Sequence, residues 1–367
     1  MYQIHIALLL LMYSMGSMSF LSISKAPCNI NSLNTSLPKC QGKKMTFKTA
    51  EALNMSPPWN PPNWVWRLLL KYHKLLLPFL HKFDECATQD TCMNLFVLWW
   101  KAIAGNKRGS QFYDQHIAYD LLPSYSRLIV ASPWCWLYPN LHHHVVAMRT
   151  KFLDQAILQE INRYQSDNDV INPIERINTK KYPPHIITLG GGFDTRALRM
   201  TDDIASWYEI DLPDVINQKS RLLKRYVQRR PCAYTPMLYT ADLNEMNQLT
   251  IALNTIFDHI IHNSINQQMN LSSTKTIIIL EAVLMYLKDD SVPLLLKCCA
   301  DIARAHNSSL TIVFADLFPV DIPIISEIGA PEEREAVRLM INKQGFELET
   351  WLPKSGRTRH MGVARLR

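Results

Sequence analysis

In the second half of the chain the apolar residues change their spacing. Between residues 110 and 163 they recur at helical intervals, broken only at Ser132–Pro133 and Tyr138–Pro139. Beyond that, short β-rich runs alternate with helical ones. The runs predict strands at 185–189, 207–210, 237–240, 276–280 and 310–315, each in βαβ alternation, which argues for a mostly parallel sheet. Two further runs, 346–351 and 361–366, flank the turn-prone PKSGRTR and predict an antiparallel hairpin. The expectation is a doubly wound α/β fold: a seven-stranded, mostly parallel, Rossmann-like sheet with an N-terminal helical cap.

Upstream the pattern is different. Residues 57–64 (PPWNPPNW) form a proline-rich linker that cannot be helical. Residues 65–82 suit a basic amphipathic helix, and 93–104 are very apolar, with Trp99 and Trp100. Two readings are open: attachment to a membrane surface, or helices that pack on the main domain as a cap, which is the favoured one. Residues 6–12 form an apolar run of signal-peptide type, and residues 20–50 have the Ser, Thr, Asn and Lys composition of a transit segment. This suggests entry to the secretory pathway or a plastid, with a membrane anchor or a cytoplasmic location as alternatives. The expected division is a leader at 1–50, linker and cap at 51–165, and a ligand-binding domain at 166–367.

Composition changes this picture little. Of the net charge of +7, five units come from Lys25, Lys39, Lys43, Lys44 and Lys48 in the acid-free leader, so no nucleic-acid partner is implied. The eight cysteines include no paired CxxC units, which argues against zinc. Cys86 and Cys92 have the spacing of a small loop disulfide, whose oxidation state stays open; Cys135, Cys232, Cys298 and Cys299 read as buried thiols. Four sequons, at Asn34, Asn54, Asn270 and Asn307, are compatible with a secretory route. His142, His143 and His144 point different ways on a helix and lack carboxylates, so no metal site is expected. The basic residues 224–230 read as a solvated helix end; His360, near Arg357 and Arg359, has the chemistry to reach an anionic acceptor, but an exposed turn is the favoured reading.

Four segments carry chemistry. In HIITLGGGFDTRALR a strand runs into Gly190, Gly191 and Gly192 and then a helix-forming stretch, at the strand end where open α/β sheets bind ligands. The third glycine of a dinucleotide fingerprint is replaced by Thr195, which favours a ligand without phosphate. In WYEIDLPD, Asp211 ends a strand about 20 residues on, where an acid can hold ribose hydroxyls. In YTADL, Asp242 is placed to accept from an adenine amino group while Leu243 packs on the ring. In LEAVLMYL, Glu281 is placed to fix a ligand amino group and Tyr286 to line an acceptor pocket. A buried, unpartnered glutamate would be costly, so a bound cation or ammonium would explain it.

In this order and spacing, LGGGFDTRALR, YEIDLPDVINQK, YTADL and LEAVLMYL resemble the leucine carboxyl methyltransferase family, as does AMRTKFLDQAI at 147–157. The resemblance covers about 110–290. It implies S-adenosylmethionine as cofactor, with Arg149 gripping its carboxylate, and a small-molecule or protein acceptor bearing a carboxylate or hydroxyl. Two departures stand out: Gly191, where the family usually carries alanine, and a short stretch between Ala315 and Phe346, which leaves the acceptor open. The alternatives are a nucleotide-dependent oxidoreductase of related fold and a non-catalytic, membrane-associated adenosyl-ligand binder. Oligomeric state is not legible.

Overall fold

The computed structural model describes residues 87–106, 115–131, 142–167, 183–200, 204–231, 233–266, 274–320, 331–352 and 360–367. The leader, the proline-rich linker, the helix expected at 65–82, Cys86, Cys135 and Cys232 lie outside these residues.

Seven strands form one sheet: β1 (His185–Leu189), β2 (Ser206–Asp211), β3 (Met237–Thr240), β4 (Lys275–Glu281), β5 (Ser309–Asp316), β6 (Phe346–Leu352) and β7 (His360–Leu366). Their order is β3-β2-β1-β4-β5-β7-β6. The first five are parallel, while β7 runs antiparallel to both β5 and β6. Every expected strand is present, with ends moved by at most one residue. The order reverses between β1 and β4, so a crevice opens at their carboxyl ends.

The strands are apolar on both faces because both are covered. On one side Ile187, Tyr208, Ile278 and Ile312 pack under α6 (Met246–Asn266) and α7 (Ser291–Ala305). On the other, Ile186, Trp207, Ile277 and Val313 pack under Phe152, Leu153 and Ile157 of the long helix α4 (His142–Asp167). Helix α5 (Pro213–Arg229) begins with Pro213 in its first turn, where the missing N–H costs nothing. It carries Val215, Leu222, Leu223 and Tyr226 into a second core with α1 (Gln89–Asn106), α2 (Gln115–Leu121) and α3 (Ser124–Ala131). Trp99 and Trp100 are buried there, so these tryptophans pack against protein. Among the described residues no helix is long and apolar enough to cross a membrane. Helix α8 (Pro331–Lys343) precedes the terminal hairpin.

Candidate cofactor site

The crevice is built first from backbone. Gly190 and Gly192 have φ of +64° and +48°, the left-handed region that favours glycine. A side chain at Gly190 would collide with Val283 of the turn after β4, and one at Gly192 with Asn94 of α1. The turn is therefore wedged between sheet and cap. Gly191 lies over Glu209, with Oε2 3.1 Å from where a Cβ would stand.

Asp211 ends β2 beside this turn. Its Oδ2 accepts from the Gly192 N–H at 2.6 Å and its Oδ1 from the Leu212 N–H at 2.7 Å. Burial pushes its carboxyl up, against these two N–H groups. Each oxygen keeps acceptor capacity beyond the one bond it makes. Asp242, two residues past β3, closes a local turn by accepting from the Asn244 N–H at 2.9 Å, and Leu243 is buried in the α6–α7 core.

Glu281 is the last residue of β4 and has two partners. Arg149 of α4 donates through Nε to Oε1 at 2.6 Å, and Arg196 donates through Nη1 to Oε2. The glutamate thus needs no ligand to be satisfied, which corrects the expectation that a bound cation or ammonium explains it. Burial pushes its carboxyl up, but Arg196, then Arg149 and Lys101, outweigh this and hold it below the usual carboxylate range. Tyr286 ends a 3-10 turn (Leu284–Tyr286) and is 61% exposed at the rim. That turn is held by Asp316 of β5, whose Oδ2 accepts from the Val283 and Leu284 N–H groups at 2.6 and 3.0 Å. Ala282, between Glu281 and the turn, has φ of 57°, a strained value for a residue with a Cβ.

Several residues in the crevice were not singled out from sequence. Arg196 is fully buried and also binds Asp194 Oδ2 at 2.7 Å and Asp154 Oδ1 at 2.8 Å. Lys101 of α1 reaches Asp194 Oδ1 at 3.1 Å. Lys219 of α5 pairs with Glu209 beneath the glycine turn, both buried. Burial pushes the Glu209 carboxyl up to about 7, against the attraction of Lys219. Asp194 and Arg196 stand inside the quoted glycine motif, so a signal existed. Lys101 lies 93 residues from its partner, and nothing local marked it.

The remaining sequence-level candidates fall elsewhere. His360 is buried rather than on an exposed turn: it opens β7, its Nε2 meets Glu333 Oε1 at 2.7 Å, and its Nδ1 accepts from the Phe318 N–H. The side chains of His142, His143 and His144 lie outside the described residues, and among those described no metal-ligating cluster forms. Cys299 is buried and Cys298 half-buried, its Sγ 3.3 Å from the Thr250 hydroxyl. At the basic end of α5, Arg229 and Arg230 bind Asp120.

The reversal point is lined by a glycine turn, the aspartate that ends β2 and a paired Arg–Glu couple, and the turn lacks the dinucleotide fingerprint. Residues 178–300, about a third of the chain, match the model of the family described as leucine carboxyl methyltransferase. No curated protein matches the chain. Among solved structures, a pericyclic reaction enzyme is similar at 13% identity and a TM-score of 0.32, covering 53% of this chain and 47% of its own. This chain therefore spans about half the length of that protein. The magnesium protoporphyrin IX methyltransferase of Synechocystis PCC 6803 with bound S-adenosylmethionine is 12% identical at a TM-score of 0.36, covering 71% of this chain and all of its own. A protein of Pyrococcus horikoshii OT3 is 14% identical at 0.31, with 56% and 91% covered.

Proposed function

We propose that the chain transfers the methyl group of S-adenosylmethionine to an oxygen of a carboxylate or hydroxyl acceptor. The observation that carries this reading is the Arg149–Glu281 pair at the end of β4. A cation and an anion meet there as the two ends of the ligand's amino-acid group would require. Arg149 keeps further N–H groups for a carboxylate, and Glu281 keeps acceptor capacity for an ammonium. Asp211 would take the ribose hydroxyls, and the left-handed backbone of Gly190 and Gly192 shapes the turn beside it.

When bound, the cofactor supplies an electrophilic methyl on a sulfonium that leaves as a neutral thioether, so no acid is needed. What the chain contributes is alignment and exclusion of water. The glycine turn and Asp211 fix one half of the ligand, while Arg149 and Glu281 fix the other. The Val283–Tyr286 turn, held by Asp316, forms the edge across which an acceptor would approach, with Tyr286 lining it. A carboxylate acceptor arrives ionised and requires no base, whereas a hydroxyl requires one. We read residues 1–50 as a targeting leader, on its composition alone.

The test is calorimetric titration of S-adenosylmethionine into the full chain, alongside Asp211→Ala and Arg149→Ala. Micromolar binding by wild type, lost in both variants, is expected. A folded wild type that binds no S-adenosylmethionine would sink the reading.

A further inference from the structure

Arg196 has more carboxylate partners than any other cation of the crevice. Its guanidinium touches Asp154 through Nε and both Asp194 and Glu281 through Nη1, while no described group accepts from its Nη2. The side chain has no exposed surface. Arg149 is held more loosely: among the described residues its ion-pair partner is Glu281 alone, through Nε. The two arginines take one oxygen each of the same carboxylate. If a ligand carboxylate engages Arg149, Glu281 risks losing half its compensation just when it must hold an ammonium. A buried carboxylate stripped of its partner takes up a proton and stops attracting a cation.

On the reading above, we propose that Arg196 is the fixed positioning residue of cofactor capture. It stays on Glu281 as counter-charge and holds that carboxylate in place while Arg149 turns to the ligand. Three features make it the one that stays. It is locked by Asp154 and Asp194 as well as by Glu281, it is wholly buried, and its turn (Arg196–Leu198) follows directly from the glycine loop. The other charged groups facing Glu281 are Lys101 from α1, Arg149 from α4 and Asp194 from the loop before that turn. Lys101 pairs with Asp194 and makes no hydrogen bond to Glu281.

The experiment compares S-adenosylmethionine with 5′-methylthioadenosine, which has the adenosyl half but no amino-acid group. Both are titrated from pH 7 to pH 5 into wild type, Arg196→Gln and Arg196→Lys. Titration of Glu209 or Asp211 affects both ligands, so the ratio of the two affinities isolates the Glu281 end. In wild type and Arg196→Lys the ratio is expected to stay flat. In Arg196→Gln it is expected to fall at least tenfold at pH 7 and at least fivefold further by pH 5, with 5′-methylthioadenosine binding within about twofold of wild type. A folded Arg196→Gln with a wild-type ratio at both pH values would overturn the proposal. So would an equal loss of both ligands, which would make the residue merely structural. Should the glutamine variant fail to fold, Arg196→Lys decides: a ratio reduced as deeply as in Arg149→Ala would overturn the counter-charge role. Failure of wild type to bind either ligand would sink the cofactor reading instead.

Discussion

Helix α4 is tied to the sheet by charges at both ends, and the two ends differ. Towards its start, Arg149 and Asp154 join Arg196, Arg199 and Glu281 in a cluster sealed from solvent or nearly so. Towards its end, Glu160 accepts from Arg365 of β7 at 2.5 and 2.6 Å. Arg163 meets Glu349 of β6 at 3.1 Å with both side chains substantially exposed. Tyr164 adds a 2.7 Å hydrogen bond to Thr311. The second set staples a helix to a hairpin, with Glu160 and Arg365 largely buried and only the Arg163–Glu349 pair substantially exposed. The first removes several charges from water, a cost that apolar packing would avoid. A dry charged cluster is intelligible where a zwitterionic ligand must be received, and the staple would serve in any protein.

The largest expected effect lies in the sealed cluster. Glu281→Ala leaves Arg149 and Arg196 without their shared carboxylate and should lower stability by roughly 3–5 kcal/mol, read by urea unfolding, and abolish S-adenosylmethionine binding. Retained binding would show that the amino-acid end of the ligand lies elsewhere.

Next is a pH effect beneath the glycine turn. Glu209 is raised from an ordinary glutamate value to about 7 by burial. A carboxyl raised on folding contributes stability that is complete below its unfolded value and lost as pH rises through 7. Relative to Glu209→Gln, wild type should therefore lose up to about 3 kcal/mol between pH 4.5 and 7.5, measured by unfolding across that range. Glu281 has the opposite sign: its depressed carboxyl contributes stability that is lost only in acid, below the ordinary glutamate range. A difference that grows in wild type's favour with rising pH would show that Lys219 outweighs burial at Glu209.

At the hairpin end the effects shrink. Arg365→Ala removes the partner of Glu160, whose carboxyl burial pushes up despite Arg365. It should cost about 1–2 kcal/mol while leaving S-adenosylmethionine affinity unchanged. Arg163→Ala should cost no more than about 0.5 kcal/mol, read as a shift in thermal midpoint. A change in cofactor affinity from either would mean that the two ends of α4 are coupled.

The strands were legible because each is short, apolar and bounded by turn residues. The glycine turn and Asp211 were legible because a strand, a turn and the next strand end are linked by local chain geometry. Glu281 was placed correctly at its strand end, yet its environment was not. Its partners come from α4, 132 residues away, and from the turn after β1, 85 residues away. His360 was misjudged for a related reason. The turn-prone PKSGRTR just before it suggested an exposed turn, whereas Glu333 of α8 and the Phe318 backbone draw it inside.

By itself the sequence determined the order of elements, the sheet type, the glycine turn and the acidic residues Asp211 and Glu281 at the ends of β2 and β4. These follow from periodicity and from spacing along one stretch of chain. Only the tertiary structure decided which charges meet: Arg149 with Glu281, Arg196 with three carboxylates, Lys101 with Asp194, and Lys219 with Glu209. The physical reason is that an ion pair depends on distance and burial in space, and the folding of distant segments onto one crevice sets both.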